Sequence, residues 1–314
     1  YDDYEKFWPA DVHFVGKEIV RFHSIIWPAM LMSMEMPLPK KVFGHGWLLL
    51  DGGKMSKSKG NVVDPYLLAE QFGVDALRFF LMRTFPFGSD GNFSNEALIN
   101  TINVDLANDL GNLLSRTVAM VIKYFGGTLP AEREHDALDD ELIAMASSLR
   151  ETYAGYMDTF GTQQALIEVF KVISRANKYI DETAPWVLAK DESKRARLAT
   201  VLYNLLETLR ITVTLLLPFM PDSCAKAFTQ IGAAAEQTTW DNAAVWGVLP
   251  ADVTVQKGET LFPRIDMAKE LAELEALKAA KEAAAAPKSA PVLPDVTIDE
   301  FAKCDMRVCK VLKL

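Results

Sequence analysis

A lysine-rich segment holds the residues of this sequence that are best suited to chemistry. Residues 51–61 contain three lysines, two serines and three glycines. Glycine lets the backbone approach a ligand closely, lysine supplies a flexible point charge, and backbone amides with hydroxyls can line an anion-binding concavity. Residues 40–61 carry a net charge of +4, whereas the rest of the chain carries −13. The segment predicts a polyphosphate-binding loop, and a solvated hairpin is the alternative.

A second group of side chains could enclose a small apolar ligand. Phe22, His23 and Trp27 lie on one predicted helix, where the spacing of four residues places His23 beside Trp27. An aromatic wall suits a thioether, since sulfur–aromatic contacts contribute about 0.3–1.5 kcal/mol; ordinary core packing is the alternative. Gly16 and Glu18 precede this helix at a predicted strand end, an edge where α/β sheets bind ligands. Glu18 could equally be a first-turn acid that interacts with the helix dipole.

A third group lies in a long helical region and could contact unstacked bases. Asn112 and Arg116 are one turn apart, so an amide and a guanidinium share a helix face. Pro185 ends or redirects a helix, which would present Trp186 at a surface where a base could stack. A chance polar pair and a buried tryptophan are the alternatives.

The elements that must position these residues follow from hydrophobic periodicity. Residues 1–63 alternate short strand-like and helix-like pieces, which is typical of a parallel α/β sheet. Residues 64–93 read as short helices, and residues 94–265 are mostly long helices, which predicts a bundle. A charged helix and a proline–alanine linker occupy residues 266–291, and residues 292–314 begin a further element. The sequence predicts an α/β part followed by an all-α part.

Composition narrows the class of protein. With 33 basic and 42 acidic residues, the net charge of −9 argues against a generally basic nucleic-acid binder, although a local basic patch remains compatible. Three cysteines form no even disulfide framework, which favours a reducing cytoplasm. We expect no membrane span, because no apolar run reaches roughly 18–20 residues. The start at Tyr1 and the strand-like run at 308–312 lead us to expect a fragment of a longer chain.

The spelling of the lysine-rich segment points to a family. Residues 54–58 read Lys-Met-Ser-Lys-Ser, identical to the signature loop of class I aminoacyl-tRNA synthetases. The surroundings resemble the methionyl-tRNA synthetase family over essentially the whole chain. Four further motifs carry the resemblance: Gly-x-acid at 16–18, Phe-His-x-x-x-Trp at 22–27, Asn-x-x-x-Arg at 112–116 and Pro-Trp at 185–186.

The resemblance implies a domain order. It divides the chain into the second half of a Rossmann-like catalytic domain with its lysine loop (1–63), a connecting segment that contacts the tRNA stem (64–93), a helical anticodon-binding domain (94–265), a linker (266–291) and the truncated start of a tRNA-binding OB-fold domain (292–314).

The resemblance also implies roles for individual residues. In this family the loop lysines bind the ATP phosphates and stabilise the pyrophosphate leaving group, so Lys57 is the main catalytic residue and Lys54 supports it. A preorganised donor of this kind is typically worth about 3–4 kcal/mol. The implied ATP-binding residues are Gly16, Glu18, Lys54, Met55, Ser56, Lys57 and Ser58. The resemblance further implies that Phe22, His23 and Trp27 bind methionine and that Asn112, Arg116 and Trp186 bind the anticodon. Apart from the resemblance, basic side chains of the predicted bundle could contact tRNA phosphates, namely Arg116, Lys123, Lys171, Arg175 and Lys178.

The implied reaction is the activation of methionine by ATP with Mg²⁺, followed by its transfer to tRNA(Met), in the cytoplasm. The family's His-Ile-Gly-His-type motif and its metal-binding cysteines would lie upstream of Tyr1, so zinc is expected only there and no metal site within this chain. We therefore expect the chain alone to form methionyl adenylate at no useful rate. The implied partners are tRNA(Met), methionine and ATP, with a parent that dimerises through its C-terminal domain.

Two alternatives remain at the level of sequence. One is another class I synthetase for an apolar amino acid, against which the Phe-His-x-x-x-Trp and Pro-Trp elements argue. The other is a non-catalytic tRNA-binding protein that kept the helical bundle and lost the catalytic half.

Overall fold

Short strands in the first hundred residues form two small sheets. The structure, a computed structural model, describes residues 3–50, 53–55, 63–285, 297–301 and 303. The strands are β1 His13–Gly16, β2 Val42–His45, β3 Leu48–Leu50, β4 Gly53–Lys54 and β5 Gly91–Phe93. The first sheet pairs β1 with β2 in parallel, and the second has the order β4-β3-β5, with β3 antiparallel to β4 and parallel to β5.

Helices account for most of the remaining chain. The α-helices are α1 Tyr4–Phe7, α2 Trp27–Ser33, α3 Pro65–Phe72, α4 Val74–Thr84, α5 Asn95–Thr101, α6 Asn112–Phe125, α7 Ala137–Met157, α8 Thr162–Thr183, α9 Pro185–Leu188, α10 Arg195–Leu216, α11 Pro221–Ile231, α12 Met267–Ala285 and α13 Ile298–Phe301. A 3₁₀ turn at Lys17–Ile19 and a π-helix at Phe22–Ile26 connect β1 to α2, and a second π-helix at Ile102–Gly111 leads into α6. The predicted fold class, a partial α/β part followed by a helical bundle, is confirmed.

The chain divides into two compact units, Tyr1–Met267 and Ala268–Leu314. The first contains both sheets and the bundle. The second contains most of α12 and the short α13. The predicted start of an OB-fold falls largely outside the described residues.

Gly46 divides an apolar run that would otherwise make one strand. The pattern of residues 42–50 predicts a single strand, but the structure places β2 and β3 in different sheets. A Cβ atom at Gly46 would overlap the backbone of Ser89. Because glycine has no Cβ, the chain can turn here while the segment before β5 passes against it.

The connecting segment is attached to the bundle by polar contacts as well as packing. Asp64 caps α3 by accepting from the Tyr66 amide at 3.0 Å. In α4, Arg78 donates to the carbonyls of Pro218 and Phe219 at 2.7 and 3.0 Å. The segment is therefore tied to the turn between α10 and α11.

The central helix of the bundle is α10. The segment Glu192–Leu216, which contains α10 and the 3₁₀ turn before it, is long and apolar enough to cross a membrane, yet 94% of the apolar window is buried within the fold. It therefore behaves as a core helix. No membrane-spanning segment was expected from the sequence, because threonines interrupt the apolar run of this helix. They do not make the helix polar overall.

Two buried ion pairs on α10 organise the chain around it. Arg197 donates to both carboxylate oxygens of Asp139 at 2.7 and 2.6 Å, which joins α10 to α7. Arg210 pairs with Glu207 at 2.7 Å, and both side chains are fully buried. Arg210 also donates to three backbone carbonyls of the irregular segment that follows α11, those of Gln237, Asn242 and Val245.

Candidate active site and nucleic-acid interface

One cavity of about 580 Å³ gathers the residues predicted to bind methionine. Its size lies within the usual range for small-molecule sites, about 300–1,000 Å³. The π-helix contributes Phe22 and His23, and the first residue of α2 contributes Trp27. The cavity is lined by Trp8, Val12, His13, Phe14, Val15, Phe22, His23, Ile26, Trp27 and Met30.

The π-helix explains how Phe22 and Trp27 come to line the same cavity. The Trp27 amide donates to the Phe22 carbonyl, five residues earlier, rather than to the residue four earlier. A turn widened in this way brings residues five apart onto the same side, whereas α-helical spacing would separate them. Single-turn π-helices occur frequently at functional sites.

The His23 ring is anchored by its own helix. Its Nδ1 lies 3.0 Å from the Ile19 carbonyl oxygen. Because a carbonyl only accepts, Nδ1 carries the hydrogen in this contact, and Nε2 of the neutral ring is then an acceptor. In this tautomer Nε2 has no hydrogen to donate to a thioether sulfur. The ring contributes to the cavity as one of its lining side chains.

Two further residues of the cavity were missed by sequence reasoning. The Trp8 ring lies edge-on to Trp27, with centroids 6.0 Å apart, and the Trp8 indole donates to the Pro37 carbonyl at 2.9 Å. The His13 ring lies 6.0 Å from that of His23, and the buried Nδ1 of His13 has no hydrogen-bond partner among the described residues. In the sequence, only the aromatic side chain of Trp8 and its position before the predicted helix indicate that it could line the cavity.

The Gly16–Glu18 element lies where β1 ends and the 3₁₀ turn begins. A Cβ atom on Gly16 would lie 2.6 Å from the Glu18 carboxylate oxygen Oε2, so a larger residue would displace the acid. The same oxygen accepts from the Trp47 indole at 2.8 Å. Glu18 is thus held at the carboxyl end of a parallel strand, the usual ligand-binding edge of such sheets.

A charged pair supports Trp47 on its other side. Lys17 contacts both carboxylate oxygens of Asp90 at 2.6 and 2.7 Å, and its ammonium group lies 4.5 Å from the centre of the Trp47 ring. The Trp47 amide donates to Asp90 at 2.8 Å. The hydrogen bonds from Lys17 and from the Trp47 amide lower the pKa of Asp90. Asp90 therefore stays ionised and keeps Trp47 in place.

The predicted lysine loop follows a hairpin. Leu50 pairs with Gly53 and Leu49 with Lys54 in antiparallel register. Met55 is half-buried directly after β4. Ser56, Lys57, Ser58 and the side chain of Lys54 lie outside the described residues.

The predicted anticodon-binding residues all lie at the surface of the bundle. Asn112 and Arg116 are exposed on the first two turns of α6. Arg116 forms a 3.4 Å ion pair with Asp181 in the last turns of α8. Beyond the end of α8, Ala184 adopts a left-handed backbone with φ of 43°, and α9 then presents Trp186 with 44% of its surface exposed. A core position for Trp186 is thereby excluded.

The backbone before α6 is also a π-helix, Ile102–Gly111. Its carbonyl at Asp109 accepts from the Asn177 amide at 3.1 Å, which ties it to α8. Burial raises the pKa of Asp109, and the nearby Asp105 charge raises it further. Asp109, three residues before Asn112, is therefore protonated more readily than an ordinary aspartate.

One of the predicted phosphate contacts is wrong. Arg175 is buried, and it pairs with Glu141 at 2.7 Å and with Glu182 at 3.0 Å. The helical pattern could not show that carboxylates from α7 and α8 cover it. Lys171 and Lys178 are exposed but paired with Glu168 and Glu182.

The described residues contain no group of three or more His, Cys, Asp or Glu side chains that could hold a metal ion. Cys304 and Cys309 lie outside them.

Comparison with known proteins agrees with these features. A family model described as tRNA synthetases class I (M) matches residues 1–118, and one described as the anticodon binding domain of methionyl tRNA ligase matches residues 129–282. A methionine–tRNA ligase of Caldanaerobacter subterraneus is 58% identical over 99% of this chain and 48% of its own length. One of Clostridium perfringens is 54% identical with the same coverage. The chain spans about half the length of the curated relatives it matches.

Solved structures lead to the same family. Mycobacterium tuberculosis methionyl-tRNA synthetase bound by methionyl-adenylate matches with a TM-score of 0.78 and 42% identity over 82% of this chain and 51% of that one. The apo form of the same enzyme matches with a TM-score of 0.76 and 39% identity over 83% of this chain and 51% of that one. By the two family models, the identity to its relatives and the fold, this chain belongs to the methionyl-tRNA synthetase family.

Proposed function

We propose that this chain provides the second half of the catalytic site and the anticodon-binding bundle of a methionine–tRNA ligase. The observation that carries the proposal is the aromatic cavity, which places Phe22, His23 and Trp27 around one space and adjoins the Gly16–Glu18 element. The family model described as an anticodon binding domain supports the second part of the proposal.

In the proposed reaction the carboxylate of methionine attacks the α-phosphate of ATP, a P–O bond to the β-phosphate breaks, and pyrophosphate leaves. The cavity holds the thioether side chain against Trp27, and the Glu18 carboxylate accepts from the ribose hydroxyls. Lys57, with Lys54, stabilises the charge on the leaving pyrophosphate, and the Ser56 and Ser58 hydroxyls with the Met55 amide complete the anion-binding loop. Mg²⁺ would neutralise charge on the ATP phosphates. At such sites this ion is held mainly by the phosphates and its own waters, with few protein ligands.

The second step transfers the methionyl group to the terminal ribose of tRNA(Met). Asn112 and Arg116 hydrogen-bond anticodon bases, and Trp186 stacks on one of them, a contact typically worth about 1–3 kcal/mol per base. The ion pair between Arg116 and Asp181 joins α6 to the last turns of α8, and Ala184 then connects α8 to α9, which carries Trp186. The cytoplasm is the proposed location, and dimerisation through the C-terminal domain stays a prediction.

The proposal is tested with a chimera in which this chain replaces the matching 312 residues of the Caldanaerobacter relative. We expect methionine-dependent exchange of pyrophosphate into ATP and aminoacylation of tRNA(Met). A chimera that melts cooperatively and binds tRNA but shows no exchange with methionine would contradict the proposed catalytic role. Exchange driven better by another apolar amino acid would instead favour a different class I synthetase.

A further inference from the structure

A second cavity lies on the bundle, on the same helix as Asn112 and Arg116. It has a volume of about 320 Å³ and lies between α6 and residues 257–260. Val118, Ala119 and Ile122 form an apolar floor, and Lys123 and Lys257 lie among the polar residues around it. None of the described side chains that line it is acidic. An apolar floor with two cations is suited to a ligand that combines a flat or sugar-like body with a negative charge.

The wall that carries Lys257 is fixed by one buried glutamine. Gln230 is only 7% exposed. Its backbone carbonyl accepts from the backbone amide of Gln256 at 2.9 Å, and its side-chain amide donates to the Glu259 backbone carbonyl at 3.0 Å. A Cβ atom on Gly258 would lie 2.6 Å from the Gln230 amide group. Residues 256–259 therefore sit tightly against α11, with Lys257 between two anchored neighbours.

The same segment is tied to the end of α6. The Val255 amide donates to the Gly127 carbonyl at 2.8 Å, and Thr128 and Thr254 form an isolated bridge. Lys257 is therefore held beside the helix that carries Lys123 by contacts at both ends of its segment. The cavity is built by the fold rather than by loose surface side chains.

The cavity continues the surface proposed to bind the anticodon. With 3.6 residues per turn, Asn112, Ser115, Arg116, Ala119 and Lys123 lie along one side of α6, and all five are exposed. At 1.5 Å per residue, Asn112 and Lys123 are separated by about 16 Å along the helix, a distance that a few nucleotides of a single strand can span.

Charge distinguishes these two lysines from others of the bundle. Lys171 lies 2.7 Å from Glu168, and Lys178 lies 3.4 Å from Glu182. Within the part of the chain that the structure describes, neither Lys123 nor Lys257 has a carboxylate partner. Their charges are therefore available to an anion, on a chain whose net charge is −9.

We propose that this cavity binds one nucleotide of the tRNA strand that flanks the anticodon. The ammonium groups of Lys123 and Lys257 hold its phosphate, and the apolar floor receives its sugar or base. The cavity adds affinity without reading sequence, because phosphate contacts carry no base information. This inference rests on the proposed function, since it requires that the α6 surface binds tRNA.

The test measures binding of the 314-residue chain to two methionine tRNA transcripts, one with the CAU anticodon and one with that anticodon changed, across a salt series. We compare the wild type with Lys123→Ala, Lys257→Ala and the double variant. Lys194→Ala removes the same charge from a lysine that pairs with Glu134 at 3.8 Å and is the matched control. Each phosphate contact contributes about 0.7 to the slope of log K against log salt for a single strand. Because the two lysines hold one phosphate, we expect the double variant to lose about 0.7 from the slope for both transcripts equally, and Lys257→Arg to retain it.

The outcomes separate the two proposals. A double variant with the slope of the wild type and of Lys194→Ala overturns the nucleotide site, whatever the anticodon preference. A wild type that binds both transcripts equally contradicts the anticodon assignments, while a slope lowered only in the cavity variants still supports the nucleotide site. A folded wild type that binds neither transcript at low salt overturns both. Protection of Lys123 and Lys257 from acetylation by bound tRNA, with Lys194 unprotected, supports the site independently of affinity.

Discussion

The indole of Trp47 donates a 2.8 Å hydrogen bond to the carboxylate of Glu18 across 29 positions of the sequence. Glu18 follows β1, and Trp47 directly precedes β3, which leads through the hairpin into the lysine loop. The bond therefore connects the acid proposed to hold the ribose with the strand that positions the loop proposed to hold the phosphates. Lys17 and Asp90 fix Trp47 from the opposite side.

We predict that Trp47→Phe weakens ATP binding while leaving methionine binding nearly unchanged. The variant keeps an aromatic ring for Lys17 but removes the donor to Glu18. Hydrogen bonds to charged groups contribute about 1.5–3 kcal/mol when buried, and this exposed one should fall at or below the lower end. The expected result is a rise of up to about tenfold in KM for ATP, measured by pyrophosphate exchange in the chimera. An equal rise in KM for methionine would instead indicate a general loss of structure.

We predict that Lys57→Ala and Lys59→Ala have unequal effects, although both remove one positive charge from the same loop. If Lys57 contacts the leaving pyrophosphate, its loss should lower kcat by about 10²–10³-fold, the range found for single preorganised donors. Lys59→Ala should change kcat by less than about tenfold. Exchange kinetics at saturating ATP and methionine give both values. Equal losses would mean that the loop acts through its total charge, without a special role for Lys57.

We predict that Trp8→Ala weakens methionine binding, although no sequence motif includes this residue. Its ring packs edge-on against Trp27 with centroids 6.0 Å apart, and aromatic pairs of this kind are worth about 0.5–1.5 kcal/mol beyond area burial. The expected result is a roughly two- to tenfold rise in KM for methionine, with little change for ATP. Trp186→Ala, at a distant exposed tryptophan, is the matched control and should leave both constants unchanged.

Local sequence patterns were sufficient to predict the elements whose apolar residues recur at regular spacing. The α/β part, the long helices and the turn before β4 follow from periodicity and turn residues, which act between neighbours in sequence. The motif residues Phe22, His23 and Trp27 could likewise be picked out, because they lie on one short stretch.

Features that depend on distant contacts or irregular backbone could not be predicted. Trp8 and Trp47 reach the site through partners about twenty to thirty positions away, and neither belongs to a periodic pattern. The π-helix at Phe22–Ile26 departs from the 3.6-residue period on which face assignments rest. Arg175 was selected for its charge, yet it shares a helix face with the buried Val172 and Tyr179, and Glu141 from the neighbouring helix covers it.

The buried pair between Asp139 and Arg197 leads to a prediction for stability. Burial raises the pKa of Asp139, but hydrogen bonds from Arg197 and Tyr179 outweigh it, so the folded-state pKa lies below the ordinary value of 3.8. A depressed pKa stabilises the fold above the unfolded-state value, and this stabilisation is lost as pH falls through the folded-state value. Asp139→Asn should lower the free energy of unfolding at pH 7 by about 3–5 kcal/mol, since it leaves a buried charge unpaired.

Urea unfolding at pH 7 and near pH 3 measures this prediction. The wild type should lose stability between these values, and Asp139→Asn should lose less, because the titrating group is absent. Asp241→Asn is the control, since its carboxylate is 94% exposed beside Arg150 and such surface pairs contribute about 0–1 kcal/mol. Equal destabilisation by both substitutions would show that the Asp139 network does not support the bundle.

Trp186 provides the sharpest test of anticodon recognition, because its ring is 44% exposed and its loss should not disturb the core. We predict that Trp186→Ala lowers affinity for the CAU transcript by about 1–3 kcal/mol, the usual range for stacking on one base, and leaves the salt slope unchanged. The preference over the altered anticodon should fall in parallel. Trp240→Ala removes an equally exposed tryptophan, 48% accessible, that packs on Tyr153 and Arg150 elsewhere on the bundle. If both substitutions reduced binding equally, Trp186 would have no specific place in the anticodon site, and Asn112 and Arg116 would remain as the residues to test.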